Sequence, residues 1–337
     1  MPAAKRGGDG ADRISPPGAN KINWYPGHMA KTKRALAEQL SRVDLAVELC
    51  DARTPRASRN PDLPRLLKGK RRLLVLGKAD LADPRETRAW VSYYASLGED
   101  VLAFDSVRGR PKDVIDRAQR ACREEVARWA ARGARKTVRI LVAGIPNVGK
   151  STFVNRLKGE GIAKTGDRPG VTRSQQWVRI TPWLELLDTP GLLWPDLSDQ
   201  DAALRLAWTG TIADRVLDTG MTAIRLLEEL MRLIPDATAA RFHIRDREAR
   251  GLSLLHEACR GRGWILPGGI PDEERGAALV LDEFRAGLLG RLTLEPAPAR
   301  GADTPSGSQA GREAEGLPPK QEGGQTPAGA EKEEEEA

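Results

Sequence analysis

The middle of this 337-residue chain carries a phosphate-binding loop, Gly144-Ile145-Pro146-Asn147-Val148-Gly149-Lys150-Ser151. The aliphatic run at residues 138–143 before it predicts a buried parallel strand, and an amphipathic helix follows. Two glycines let the backbone fold tightly around a phosphate, and the helix adds its positive end. We therefore expect the nucleotide to be bound by Asn147, Val148, Gly149, Lys150, Ser151 and Thr152. Lys150 would neutralise the β- and γ-phosphates, and Ser151 would ligate Mg²⁺.

A second motif, Asp188-Thr189-Pro190-Gly191, follows the hydrophobic strand predicted at residues 184–187. A carboxylate at the carboxyl end of a strand beside a phosphate loop suits Mg²⁺, which predicts Asp188 as a metal ligand. Gly191 supplies an amide for the γ-phosphate and a backbone that can move when that phosphate leaves. In the polar loop at residues 167–173, Thr172 is the candidate second hydroxyl on Mg²⁺.

The third motif, Lys78-Ala79-Asp80, follows a strand predicted at residues 71–76 and has the residues needed to read guanine. Asp80 can accept both the ring N–H and the exocyclic amine of guanine, and the stem of Lys78 can cover the purine face. Ser106, after the next strand, can supply a backbone amide to the guanine oxygen. Gly77 stands where GTPases usually carry asparagine, which predicts reduced base affinity with specificity kept through Asp80. On its residues alone the segment can equally be a plain strand-to-helix loop.

The order of the motifs is informative. In an ordinary GTPase the base-reading motif follows the phosphate loop, whereas in this chain the base-reading motif comes first. A βαβ sheet tolerates such an exchange, since the site is spatial rather than sequential. The sequence therefore predicts a circularly permuted P-loop GTPase domain with a doubly wound, mostly parallel α/β sheet. Strands are expected at residues 43–49, 71–76, 101–104, 138–143 and 184–187, with one helix over residues 111–131 among those between them.

Further segments resemble the RbgA/YlqF family of circularly permuted ribosome-biogenesis GTPases over about residues 22–296. Residues 22–31 (Ile-Asn-Trp-Tyr-Pro-Gly-His-Met-Ala-Lys) are similar to the family's first signature, and residues 51–55 and 58–61 to its second. Residues 262–264, 268–269, 282–287 and 289–291 resemble its closing segment. The departures are Gly77, Val107 after Ser106 where the family has alanine, and long tails at both ends.

The resemblance implies a GTPase that binds GTP, GDP and Mg²⁺ and hydrolyses GTP slowly until a ribosomal particle stimulates it. Its partners would be the large ribosomal subunit precursor, rRNA and ribosomal proteins, with the protein a monomer off the ribosome. Leu192 replaces the glutamine that orients water in small GTPases. His28 is then the catalytic residue implied by the Gly-His-Met motif, unless it caps a helix. Asn147 is implied as a K⁺ ligand, as in similar GTPases with that asparagine.

Composition favours a cytoplasmic protein that faces a polyanion. Lys and Arg total 54 against 47 Asp and Glu, a net charge of +7, and residues 1–295 alone carry +12. Such an excess suits rRNA, although general solubility explains it as well. No apolar run approaches the length of a membrane span, and the three cysteines show no metal or disulfide spacing.

The pattern predicts four regions: a flexible arm at residues 1–20, the GTPase domain at 21–195, an α-helical RNA-binding domain at 200–295 and a disordered acidic tail at 296–337. Helices are expected at residues 222–233, 253–259 and 272–289. Six arginines of the helical domain either contact rRNA or simply cap and solvate helices: Arg241, Arg245, Arg247, Arg250, Arg260 and Arg262. The GTPase loop passes through residues 192–195 into this domain, which predicts that loss of the γ-phosphate reorients it.

Three other functions remain open on the sequence. A K⁺-activated GTPase acting on another RNA such as tRNA, or in metal transport, would share Asn147, but should bring a cofactor domain or membrane spans, and the sequence shows neither. An ATPase is possible because of Gly77, and ATP competition would identify it. A nucleotide-independent rRNA-binding module would bind ribosomal particles in every nucleotide state.

Overall fold

The computed structural model describes residues 40–61, 63–159, 176–188 and 199–299, with the side chains of Gln176 and Asp188 left out. Residues 40 to 298 contribute to one compact unit. Within the described residues, no helix is both long and apolar enough to span a membrane.

A six-stranded sheet forms the centre of this unit, in the order β3-β2-β1-β4-β6-β5. All neighbouring strands are parallel except the β5–β6 pair. The strands are β1 (Leu45–Asp51), β2 (Arg71–Gly77), β3 (Val101–Ala103), β4 (Val138–Ala143), β5 (Gln176–Thr181) and β6 (Leu184–Asp188). Each predicted strand lies within two residues of an observed one. The antiparallel edge strand β5 was not predicted.

Both faces of the sheet are buried, as its continuous aliphatic strands require. Along β1, Val47 and Leu49 pack into one core cluster, while Ala46 and Cys50 pack into clusters on the opposite face. The predicted fold class, a doubly wound and mostly parallel α/β domain, is confirmed. Because the chain runs outward from β1 to β3 and then returns to β4, the strand order reverses between β1 and β4. Ligands of such sheets bind beside this point, at the carboxyl ends of the strands.

The helices around the sheet are α1 (Leu63–Leu66), α2 (Pro84–Ser96), α3 (Pro111–Ala121), α4 (Arg123–Ala130) and α5 (Lys150–Lys158). The prediction of one helix over residues 111–131 was wrong. Cys122, with φ −100° and ψ 6°, separates α3 from α4. The apolar spacing continues across the break because Val114, Ala118 and Cys122 remain buried on one side.

Further helices follow: α6 (Gln200–Trp208), α7 (Thr219–Leu233), α8 (Pro235–Phe242), α9 (Gly251–Arg262) and α10 (Glu273–Arg285). A short hairpin of β7 (Ile265–Leu266) and β8 (Ile270–Pro271) precedes α10. Helices α7–α10 share one core, with Leu227, Phe242 and Val280 fully enclosed. Helix α6 joins this core to the sheet, since Leu206 packs with the strands and Trp208 with the helices.

After α10 the chain returns to the sheet as a strap, residues 291–297. The Leu294 amide donates to the Arg53 carbonyl oxygen (2.8 Å), and the indole N–H of Trp90 donates to the Glu295 carbonyl oxygen (2.8 Å). The Glu295 carboxylate accepts the backbone amides of Arg56 (2.7 Å) and Ala57 (3.1 Å). The strap extends the ordered contacts to Ala297, whose amide donates to the carboxylate of Glu86 (2.9 Å).

Candidate guanine-nucleotide site

The phosphate loop joins the carboxyl end of β4 to the first turn of α5. Gly149 has φ +96° and Asn147 φ +58°, left-handed conformations that turn the chain sharply. A Cβ on Gly144 would lie 2.5 Å from the Leu49 carbonyl oxygen, so only glycine lets the loop start this close to β1. The loop backbone therefore curves tightly just before the N-terminus of α5.

Lys150 lies inside this loop. Its side-chain ammonium donates to the carbonyl oxygens of Ile145 (2.9 Å) and Gly144 (3.3 Å), and the residue is buried. An ammonium in this position can form charge-assisted hydrogen bonds with a phosphate bound in the loop. Ser151 and Thr152 follow on the first turn of α5 and are exposed, so both can be reached by a nucleotide or its Mg²⁺.

The base-reading loop leaves the carboxyl end of β2, on the other side of β1 from the phosphate loop. Asp80 accepts the backbone amide of Ser106 (3.0 Å), and the Ser106 hydroxyl accepts the backbone amide of Lys78 (3.2 Å). The three residues predicted to bind the guanine base are thus tied together. In this arrangement the Ser106 amide, predicted to face the guanine oxygen, donates to Asp80 instead.

Lys78 connects the base-reading loop to the phosphate loop. Its ammonium donates to the Asn147 carbonyl oxygen (2.7 Å) and forms an ion pair with Asp51 at the end of β1 (3.0 Å). Asp51 also accepts two hydrogen bonds from the guanidinium of Arg53, at 2.8 and 3.0 Å. Burial alone raises the pKa of Asp51, but Arg53 and Lys78 more than offset this and hold that pKa well below its usual range. The buried Asp51 carboxylate therefore stays ionised and holds the Lys78 ammonium in place.

Close packing against β1 favours glycine at position 77. Gly77 pairs with Asp51 across the β1–β2 ladder. A Cβ at this position would lie 3.0 Å from the Leu49 Cδ1 atom and 3.4 Å from the Cys50 carbonyl oxygen. An asparagine here requires Leu49 to move by a few tenths of an ångström.

Two contacts link the nucleotide loops to the C-terminal part of the chain. The Asn147 side-chain amide donates to the Gly210 carbonyl oxygen, just after α6 (2.5 Å). The Arg291 guanidinium, on the strap, donates to the carbonyl oxygens of Ala79 (2.8 Å) and Ala82 (2.9 Å). Because the side-chain nitrogen of Asn147 donates to Gly210, the side-chain oxygen of Asn147 is the atom that can ligate a cation.

Four predicted site residues belong to, or border, segments outside the described part of the chain. His28, Thr172 and Gly191 lie outside the described residues. Asp188 is the last residue of β6, beside β4 and its phosphate loop, and its side chain is outside the described part.

Sequence reasoning missed Asp51, Arg53 and Gly210. The first two belong to a segment noted only as a signature. Their signal is a carboxylate at the end of a fully buried strand with an arginine two residues on, because such a carboxylate needs a cation. Gly210 contributes a carbonyl oxygen, which no side-chain pattern reveals.

The fold and these loops define a P-loop GTPase in which the base-reading strand precedes the phosphate-loop strand. A family model described as "50S ribosome-binding GTPase" matches residues 139–234. Ribosome biogenesis GTPase A of Bacillus cereus is 40% identical over 276 residues, which cover 81% of this chain and 93% of that protein. The Thermotoga maritima protein of the same name is 30% identical over 277 residues, covering 81% and 94%.

Comparison with solved structures supports the same family. YlqF of T. maritima in its GNP-bound form superposes with a TM-score of 0.59 at 26% identity, covering 79% of this chain and 98% of that one. The chain belongs to the RbgA/YlqF family of ribosome biogenesis GTPases. It is accordingly a GTP-hydrolysing enzyme of ribosome biogenesis that binds GTP, GDP and Mg²⁺.

Proposed function

We propose that the protein is an assembly switch that binds the large ribosomal subunit precursor and its rRNA and leaves after GTP hydrolysis, late in subunit maturation. It works in the cytoplasm, as a monomer off the ribosome, with a slow intrinsic rate that the particle stimulates. The observation that carries this proposal is the hydrogen bond from the Asn147 side chain to Gly210. It joins the phosphate loop directly to the chain segment that enters α7–α10.

A switch needs an element on which the nucleotide acts, and the structure offers two routes to the C-terminal helices. On the first, Gly210 follows α6, whose C-terminal carbonyl oxygens of Ala207 (2.9 Å) and Trp208 (3.1 Å) accept hydrogen bonds from Arg285 at the end of α10. On the second, Arg291 fixes the base-reading loop. A change at either loop is therefore transmitted to the position of α10 and the strap.

Within this proposal the GTPase domain spans residues 21–195 and the helical domain residues 200–295. Asp188, Thr172 and Ser151 bind Mg²⁺, the Gly191 amide meets the γ-phosphate, and Asn147 binds K⁺ through its side-chain oxygen. A K⁺ held by Asn147 would supply positive charge for the transition state, the role that an arginine finger has elsewhere. His28 orients the attacking water once the particle is bound.

GTP hydrolysis with and without large-subunit particles tests the proposal. The wild type should be slow alone and much faster with particles. His28→Ala should bind GTP and particles normally but lose most of the stimulated rate, on the order of 10²–10⁴-fold. His256→Gln is the matched control, because His256 lies on α9 and pairs with Glu273 (2.7 Å).

Two results would contradict the proposal. A wild-type rate unchanged by particles would remove the stimulated switch. Full stimulated activity of His28→Ala would remove His28 from the chemistry and leave the ribosome or another loop to orient the water.

A further inference from the structure

The positive charge of the chain lies around the sheet and not on the C-terminal helices. Residues 40–159 contain 26 Lys and Arg against 14 Asp and Glu, a net charge of +12. Residues 200–295 contain 13 against 15, a net charge of −2. A polyanion is thus attracted mainly to the sheet region.

The helical arginines expected to contact rRNA mostly form ion pairs with carboxylates of the same chain. Arg241 and Arg262 both pair with the buried Glu283, at 2.7 and 2.9 Å. The other ion pairs are Arg247–Asp236, Arg250–Glu248 and Arg260–Glu257. Five of the six arginines therefore already have a carboxylate partner, and each would exchange it for a phosphate at some cost.

A different set of basic residues lies at the edge of the sheet where the parallel strands begin, opposite the nucleotide loops. We call it the basic edge: Lys68, Arg72, Arg120, Arg123, Arg132 and Arg135. Two ion pairs connect the chain segments that form this edge. Arg71 at the start of β2 pairs with Glu124 on α4 (3.4 Å), and Lys136 before β4 pairs with Asp44 before β1 (2.9 Å).

All six residues of the basic edge are exposed, and no ion pair to any of them occurs among the described residues. The acids of the same edge are already neutralised: Asp44 by Lys136, Asp100 by Arg117, Glu124 by Arg71 and Glu125 by Arg128. The edge therefore presents positive charge without internal compensation. Such a surface gains free energy when phosphates replace its counterions.

An aromatic residue accompanies this charge. Trp129, near the end of α4, is 39% exposed, and the Lys136 ammonium lies 5.7 Å from the centre of its ring. Exposed aromatic rings beside arginines are the usual means of stacking unpaired bases.

We propose that the basic edge is an RNA-binding surface that holds rRNA independently of the nucleotide. This inference rests on the proposed function and identifies the surface to which its RNA partner binds. A strand of six residues separates the edge from the phosphate loop by about 20 Å, so the nucleotide loops stay free to change state. RNA is favoured over an anionic membrane because the arginines sit at strand starts and interhelical turns, not along one amphipathic helix.

A charge-neutralised edge variant tests the inference, with Arg120, Arg123, Arg132 and Arg135 all changed to Gln. Its matched control changes four exposed arginines away from the edge to Gln: Arg85, Arg88, Arg215 and Arg275. Binding to a fluorescent RNA hairpin is measured against salt. At about 0.1 M salt the edge variant should lose on the order of tenfold or more in affinity, and its salt slope should fall by about 2 to 4. The control should lose much less, and intrinsic GTP hydrolysis should be unchanged in both.

Equal hairpin binding by the edge variant and the wild type would overturn the inference, as would equal losses in variant and control. Binding of phosphatidylserine vesicles in preference to the hairpin, lost in the edge variant, would overturn it in favour of a membrane surface. Co-sedimentation with large subunits separates this result from the proposed function. If wild type fails to co-sediment while the edge variant alone loses the hairpin, the proposed function fails and the RNA surface stands.

Discussion

Replacing Asp51 by Asn tests whether the buried carboxylate supports guanine-nucleotide binding. Asp51 is 1% exposed and faces two cations, Arg53 at 2.8 Å and Lys78 at 3.0 Å. Removing its charge takes the buried Asp51 carboxylate away from both cations, which costs about 3–5 kcal/mol of stability. Lys78 also loses one charged hydrogen bond, so its hold on the Asn147 carbonyl weakens. We expect GDP and GTP to bind about tenfold more weakly, equivalent to about 1.4 kcal/mol.

A second carboxylate on the same strand provides the control. Glu48 is 3% exposed and pairs with Arg59 (2.7 Å), so Glu48→Gln should cost comparable stability. Among the described residues Glu48 contacts Arg59 and the backbone amide of Asn60, which lie outside both nucleotide loops, so nucleotide affinity should stay near wild type. Denaturant unfolding and titration of a fluorescent GDP analogue measure the two quantities. Equal nucleotide affinity in both variants would refute the reasoning, because Asp51 would then serve stability alone.

The pH dependence gives an independent check on Asp51. Its pKa in the folded protein lies below the usual 3.8, so its stabilising effect is present above that value and is lost as pH falls further. Between about pH 5 and 3 the free energy of unfolding should therefore fall more steeply for the wild type than for Asp51→Asn. Parallel curves would contradict a carboxylate stabilised by Arg53 and Lys78.

Three further predictions concern the nucleotide loops. Asp80→Asn should weaken GTP binding and improve binding of xanthosine triphosphate, measured by competition, and an unchanged preference for GTP would remove Asp80 from the base site. Replacing K⁺ by Na⁺ should slow hydrolysis with little change in affinity, and equal rates would reject Asn147 as a K⁺ ligand. Gly77→Asn should gain GDP affinity only when Leu49→Val makes room, since its Cβ meets the Leu49 side chain at 3.0 Å; a full gain in the single variant would show that the packing does not limit this position.

Local patterns predicted much of the sheet and both described nucleotide loops. Strand β4 matches its prediction because a buried parallel strand is a continuous aliphatic run between polar loops. Strand β5 was missed because the alternation in Gln-Trp-Val-Arg-Ile-Thr is that of a partly exposed edge strand, weaker than the neighbouring signals. The break at Cys122 was missed because one residue outside helical geometry leaves the apolar spacing almost unchanged.

The rest of the site depends on contacts between residues distant in sequence. Asn147 and Gly210 lie 63 positions apart, and Arg291 and Ala79 lie 212 apart. The acceptors in both pairs are backbone carbonyl oxygens, which every residue type has, so no motif distinguishes them. The strap contributes only Leu292 and Leu294 to the core, too few residues for a clear strand pattern, and its other contacts are mainly backbone hydrogen bonds and the Glu295 carboxylate.

Co-sedimentation of the wild-type protein with large-subunit precursors in a GTP analogue, in GDP and without nucleotide tests the central claim most directly. An assembly switch should be retained most strongly with the GTP analogue and clearly less with GDP, since the nucleotide loops contact Gly210 and the strap. Equal retention in all three conditions would contradict the account and leave a nucleotide-independent RNA-binding protein.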